Sequence, residues 1–314
     1  VHRPGFHRRR RLGLSVEVRV AVQAGNRLGE GVVWCDRTQA LYWTDIHASM
    51  LWRYVPADGA VRSWPMPERL ASFALCRADD WLLLALASRL AFFNVASGEV
   101  RDICALPIAS DTRANDGACD RQGRFVFGTI HEPTQGPKHA VGQFLRLDAD
   151  LSLHELPLPR VAIANSVAFS PDGATMYFCD SLQKKILRCD YGDGIGDVST
   201  FVDLTSLEGG EPDGAAVDSE GGVWSAQWGA SRVVRYRPDG REDRVVAIPT
   251  AQPTRPAFGG PSLSTLYVTS AHDGMADAAR SIDRHAGDVF ALEPGIAGLR
   301  EPRFAGNPDA VLRR

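Results

Sequence analysis

The sequence predicts an all-β protein, a six-bladed β-propeller with four-stranded blades around a central channel. Three observations carry that expectation. A strand–turn–strand pattern recurs six times along the 314 residues. Its spacing of about 40–50 residues is that of propeller repeats. No long stretch places apolar residues at i, i+3, i+4 and i+7 between helix caps.

Each copy opens with a short apolar strand, turns through a segment rich in Asp and Gly, and continues into a β-branched and aromatic strand. Residues 30–45 and 165–180 match position by position without a gap. Residues 115–128 and 213–225 follow the same plan, and weaker copies begin near Ala71 and Arg255. A third strand follows each copy, at 50–54, 90–94, 144–147, 186–189, 233–236 and 289–292. Asp58-Gly59 and Asp239-Gly240 are turn dipeptides expected to close units. A blade cannot bury both faces alone, so the six must close into one ring, a single domain spanning residues 16–314. Solenoids of similar period usually contain helices, which are not expected here. The polar loops 192–196 and 271–287 are expected to shape one mouth of the ring.

Composition narrows the function classes. The chain is 44% apolar and 23% charged, with 30 Gly and 19 Pro, which suits a packed core and excludes a disordered or collagen-like chain. A net charge of −3 provides no global basic field for nucleic acid or anionic lipid. Five arginines (Arg3, Arg8, Arg9, Arg10 and Arg11) precede the first acidic residue, Glu17; without them 30 basic residues face 38 acidic ones. An acidic body thus follows a basic stretch, residues 1–15, expected to be a flexible extension, with a nucleic-acid arm or a start codon set too far upstream as alternatives. The longest apolar run, residues 81–87, falls far short of the roughly 20 residues that span a bilayer. Glu17 and Arg19 interrupt residues 12–22, which argues against a signal peptide. Six cysteines are spread without C-x-x-C or zinc-finger spacing, so reduced thiols in the cytoplasm are expected.

The repeat also aligns chemistry. Glu30, Asn115, Asn165 and Asp213 stand where four copies begin, each just before an apolar strand. In a propeller, equivalent inner-strand positions encircle one axis. Asn and Asp there can simply cap strands or form Asx-turns. Four oxygen donors at matched positions are better explained by a hard divalent cation, because converging carboxylates repel unless compensated. Ca²⁺ is the first choice, with Mg²⁺, Mn²⁺ and Zn²⁺ as alternatives; zinc usually prefers a nitrogen or sulfur donor.

The segments Arg27-Leu-Gly-Glu30-Gly-Val-Val-Trp, Asn115-Asp-Gly-Ala-Cys-Asp-Arg-Gln-Gly-Arg-Phe, Ile163-Ala-Asn165-Ser and Pro212-Asp213-Gly resemble the SMP-30/gluconolactonase/regucalcin family. The likeness runs from about residue 16 to the C-terminus. It implies a six-bladed propeller that hydrolyses sugar lactones with one divalent metal in its channel. Glu30, Asn165 and Asp213 match the family's metal ligands. Arg113 and Asn115 match residues that hold substrate oxygens, and Glu132 is the nearest match to an acidic substrate-binding residue on the loop after the Phe-Gly-Thr strand. Asp213 is expected both to touch the metal and to accept a proton from the attacking water. The implied partner is a small sugar lactone, with no nucleic acid or membrane.

Rival functions leave weaker traces. No Gly-x-Ser-x-Gly elbow appears. The glycines at 192, 194 and 196 are read as a turn, since they are not flanked by a strand and a helix in a βαβ unit. A quinone-dependent dehydrogenase should carry a basic, histidine-rich floor. A protein-binding or purely calcium-binding propeller remains as the non-catalytic alternative. Trp34, Trp43 and Trp224 are expected to pack blades, while Trp228 and His131 are candidates to line the mouth.

Overall fold

The computed structural model describes residues 16–313, which form six antiparallel four-stranded sheets. The basic stretch 1–15 lies outside the described residues. Blades 1 to 5 use consecutive strands over residues 29–65, 70–105, 112–155, 164–203 and 211–247. Blade 6 takes three strands from 253–292 and its outermost strand, Val18–Val22, from the other end of the chain. Neighbouring inner strands touch around the full cycle, closing a ring.

Hydropathy explains the layering within each blade. Inner and second strands are buried throughout or nearly so, as in Leu70–Leu75 and Trp81–Leu86, whereas the outer strand Ala60–Pro65 is largely exposed. Aromatic side chains fill the wedges between blades. Trp34 stacks on Tyr267 at 6.0 Å, and Trp224 meets Phe258 edge-on at 6.1 Å, as expected for blade packing. Closer to the axis, polar groups staple the seams. Thr254 donates to Gly29 O, Thr44 to Leu70 O, Ser72 to Asn115 O, Asn115 to Ala164 O and Ser166 to Asp213 O, each bond joining one blade to the next.

All six inner strands carry a register shift. Glu30 and Asn165 are the last paired residues before the bulge, while Asn115 and Asp213 lie within it. Gly31 and Ser166 follow Glu30 and Asn165 with left-handed φ of 60° and 58°. A bulge of this kind bends the strand and re-aims a side chain, and here it turns the aligned residues toward the channel. Counted from the paired residues after the bulge, one ring position reads Glu30, Ala71, Asn115, Asn165, Asp213 and Thr254 in blade order.

Two local expectations are revised, one is met, and one element is new. The glycine-rich segment 192–196 is a tight turn between two strands of blade 4, with Tyr191 paired to Ile195, and it lies at the end away from the aligned residues. Segment 271–287 does border the cavity, through Asp273, and holds a six-residue helix, Asp277–Ile282. The Asp-Gly turns join third to fourth strands rather than closing units. The N-terminal strand as the fourth member of blade 6 was not anticipated. Among the described residues no helix is long and apolar enough to cross a membrane.

Removing residues 1–22 takes away the closing strand and leaves Val289–Leu292 as an open edge. The expected outcome is a lower melting temperature with concentration-dependent aggregation, read by calorimetry and light scattering. An unchanged melting curve contradicts this role in closure.

Candidate active site

One cavity of about 240 Å³ opens at the start of the inner strands. Its walls bring together Glu30, Arg113, Asn115, Glu132, Asn165 and Asp213, drawn from blades 1, 3, 4 and 5. Glu132 follows the strand Phe125–His131 and faces this cavity. Trp228 lines it too, whereas His131 does not; its ring lies tilted against His139 and accepts that residue's backbone N–H.

Two carboxylates dominate the electrostatics. Glu30 and Asp213 are 8% and 7% exposed, and neither forms an ion pair among the described residues. Glu30 accepts the Gly31 N–H at 2.9 Å. Burial raises its pKa to about 7, although the Arg255 and Arg113 charges and that amide pull the other way. Asp213 is pushed well above the usual carboxylate range by burial first, then by the Glu30 and Glu211 charges, with the Gly214 N–H as its hydrogen-bond partner. Two buried like charges with so little compensation fit a bound cation.

Two amides complete the donor set, and their orientation is specified. Arg113 Nη1 donates to Asn115 Oδ1 at 2.9 Å. Asn115 Nδ2 donates to Ala164 O at 2.9 Å and to Asn165 Oδ1 at 3.2 Å. Asn165 Nδ2 donates to Ser181 Oγ at 2.9 Å. The Asn115 donors are thus spent within the protein, leaving its oxygen as the functional face. No group of three His, Cys, Asp or Glu side chains gathers among the described residues. The centre instead combines two carboxylates with amide oxygens, a hard donor set suited to Ca²⁺, Mg²⁺ or Mn²⁺.

The arginines near this centre are already engaged. Arg113 commits four of its five N–H groups, to Glu132 twice and to Ala114 O and Asn115 Oδ1 once each. Glu132 is also held by Arg69 at 2.5 Å, a partner that sequence reasoning missed. Burial pushes the Glu132 carboxyl up, but the Arg113 and Arg69 guanidiniums outweigh it and hold the pKa at about 2. Arg255 of blade 6 pairs with Asp116 of blade 3, across the channel. Both were missed because they follow the aligned ring position by one residue, where the repeat shows no common chemistry. Lys138, His47, Glu211 and Asp273 also line the cavity, from loops and a strand end that carry no motif.

Residues 28–272 match the family model described as SMP-30/Gluconolactonase/LRE-like region. The L-arabinolactonase of Azospirillum brasilense is 53% identical over 286 residues, 90% of this chain and 94% of that protein. The 6-deoxy-6-sulfogluconolactonase of Pseudomonas putida is 36% identical, covering 93% of this chain and its own full length. A crystal structure of a calcium-binding regucalcin from Agrobacterium tumefaciens superposes with a TM-score of 0.86 at 29% identity, covering 92% of this chain and 98% of that one.

The depressed Glu132 pKa predicts a pH-dependent contribution to stability. A carboxyl lowered from 4.5 to about 2 stabilises the fold fully above its ordinary value and loses that contribution as pH falls toward 2. Glu132→Gln should therefore lower the melting temperature most at neutral pH, and the gap to wild type should narrow below pH of about 4.5. A gap that stays constant from pH 7 to pH 3 contradicts the ion-pair account.

Proposed function

The chain belongs to the SMP-30/gluconolactonase/LRE-like family and is a lactonase; from that premise we propose that it hydrolyses a sugar aldonolactone to the aldonic acid, using one divalent cation held by Glu30, Asn165 and Asp213. One observation carries this proposal: two buried, unpaired carboxylates share a single cavity with oriented amide oxygens. A pentonolactone is the first substrate to test, in view of the L-arabinolactonase relative. Ca²⁺ is the first cation to test, in view of the calcium-binding regucalcin.

The chemistry a bound divalent cation supplies there is Lewis-acid polarisation of the lactone carbonyl. Asp213 is the general base, taking a proton from the water that attacks the carbonyl carbon. As the ring C–O bond breaks, that proton returns to the departing alkoxide oxygen, yielding the open-chain acid. The Asp213 carboxylate has acceptor capacity for this step, because its described hydrogen bonding is limited to the Gly214 amide. Substrate hydroxyls are donors, and the cavity offers them acceptors: the Asn115 oxygen and the ionised Glu132. Arg113, with one N–H uncommitted, serves mainly to fix those two. Lys138 Nζ donates to His131 O at 3.3 Å and has two further protons for substrate oxygens.

The same donors would also serve a calcium-binding propeller without catalysis, and acid release separates the two functions. Among the described residues Cys35, Cys76, Cys119, Cys179 and Cys189 are free thiols, which supports a cytoplasmic location.

Chelator-treated protein should lose lactone hydrolysis above the spontaneous rate and regain it with added Ca²⁺ or Mn²⁺. Asp213→Asn should lower kcat/KM by roughly 10²–10⁴-fold while the circular dichroism spectrum stays that of wild type. Near-normal turnover in both Asp213→Asn and Glu30→Gln on a pentono- and hexonolactone panel would overturn the assignment.

A further inference from the structure

We propose that Ser181 is a positioning residue: its hydroxyl turns the oxygen of Asn165 toward the cavity and ties that amide to the strand bearing Asp213. The inference rests on the proposed roles of Asn165 and Asp213. Ser181 begins a short 3₁₀ turn, Ser181–Gln183, after the second strand of blade 4, and it is 3% exposed. Its Oγ accepts from Asn165 Nδ2 at 2.9 Å and donates to Pro212 O at 2.8 Å. Pro212 immediately precedes Asp213 in blade 5. One hydroxyl therefore links the amide donor of blade 4 to the backbone that carries the carboxylate of blade 5. A serine can accept and donate at once, which an apolar side chain cannot do.

Comparison around the ring separates this role from generic packing. The equivalent residues of the other blades are Ile46, Ala87, Ile130, Trp228 and Ala271, all apolar. Ile46, Ile130 and Trp228 line the same cavity, so an apolar residue fits the position. A hydroxyl stands only in the blade whose ring residue is Asn165. An inverted Asn165 amide would set its NH₂ against the Asn115 Nδ2 donor and present N–H groups, not oxygen, to a cation. Asn115 restrains the amide from one side and Ser181 from the other.

The turn itself is held in place. Asp180 accepts from Ala162 N at 2.9 Å, Ile163 N at 3.1 Å and Leu182 N at 3.2 Å, fixing both the entry to Asn165 and the turn that presents Ser181. In blade 1, Asp45 makes the two matching contacts with Arg27 N and Leu28 N and a third with Ala48 N, one residue further on, but Ile46 follows it. Glu30 is a carboxylate with two equivalent oxygens and needs no such orienting partner.

The test is calorimetric titration of chelator-stripped protein with Ca²⁺, alongside melting curves of the stripped forms. Ser181→Ala should weaken Ca²⁺ binding roughly 10–100-fold, as losing the partner of a ligand typically does. Ser181→Thr, which keeps the hydroxyl, should bind Ca²⁺ like wild type. In an Asn165→Asp background, where the carboxylate presents oxygen either way round, Ser181→Ala should cause no further loss. Wild-type affinity in Ser181→Ala, or an equal loss in both backgrounds, overturns the inference. Wild-type Ca²⁺ affinity in Asp213→Asn instead overturns the proposed cation site itself.

Discussion

The burial of two carboxylates, Glu30 and Asp213, in one cavity is the constraint on which the rest of the site depends. Both carboxylates are removed from water, which raises the pKa of each, and the Glu30 charge adds to the cost of ionising Asp213. The nearby cations relieve this only in part: the Arg255 and Arg113 charges lower the Glu30 pKa but do not outweigh burial, and each guanidinium is also engaged elsewhere. Arg113 is bound to Glu132, and Arg255 is bound to Asp116. The pairing leaves the centre with two carboxylates that the arginines compensate only in part and a surplus of oxygen donors. A structure optimised for stability alone would not retain that combination, since replacing buried charge by packed apolar groups is often neutral or stabilising.

Hydrogen-bond accounting assigns different jobs to residues that look alike in sequence. Asn115 and Asn165 occupy one ring position, yet the donors of Asn115 are exhausted and its oxygen is pinned by Arg113. Arg113 likewise appears available to a substrate when read as a residue type, but four bonds turn it into a bracket between Asn115 and Glu132. The faces left open are mainly oxygens. An acceptor-rich cavity suits a polyhydroxylated ligand, whose hydroxyl protons must find partners when they leave water, and it penalises analogues that lack them.

The fold was legible because the repeat is one-dimensional information: residues 30–45 and 165–180 align without a gap, and the third strands fall where expected. Glu30, Asn115, Asn165 and Asp213 were legible for the same reason, since equivalent positions in a ring must converge. Register was not legible. The bulge encloses Asn115 and Asp213 but only borders Glu30 and Asn165, a difference of backbone pairing that side-chain identity does not encode. Arg69, Asp116, Arg255 and Ser181 were invisible because each acts through a partner distant in the chain, such as Arg255 on Asp116 139 residues away. The closing strand escaped notice because the first repeat was counted from Glu30, after Val18–Val22 had already passed.

The channel holds two separate cavities, and the candidate site lines only one of them. Blades 3 and 6 face each other across a six-membered ring, so the Asp116–Arg255 pair spans the axis and forms a floor beneath the aligned donors. Asp116 is anchored further by the Val167 N–H of blade 4 at 2.8 Å. Below the floor lies a second cavity of about 60 Å³, walled in part by Arg121, Arg255 and residues 299–302. The C-terminal segment crosses that end as a strap, bonding Ala297 O to Ser219, Gly298 N to Leu263 O, Phe304 to Arg77 and Ala305 N to Gly123 O. These contacts reach turns of blades 5, 6, 2 and 3 at that end. The candidate site therefore faces the upper mouth, where Lys138, Trp228 and Asp273 line the same cavity. Loops of that rim add Lys138 and Asp273 to a site whose carboxylates and amides come from the blades, so scaffold and loops divide the work between holding the centre and shaping its entrance.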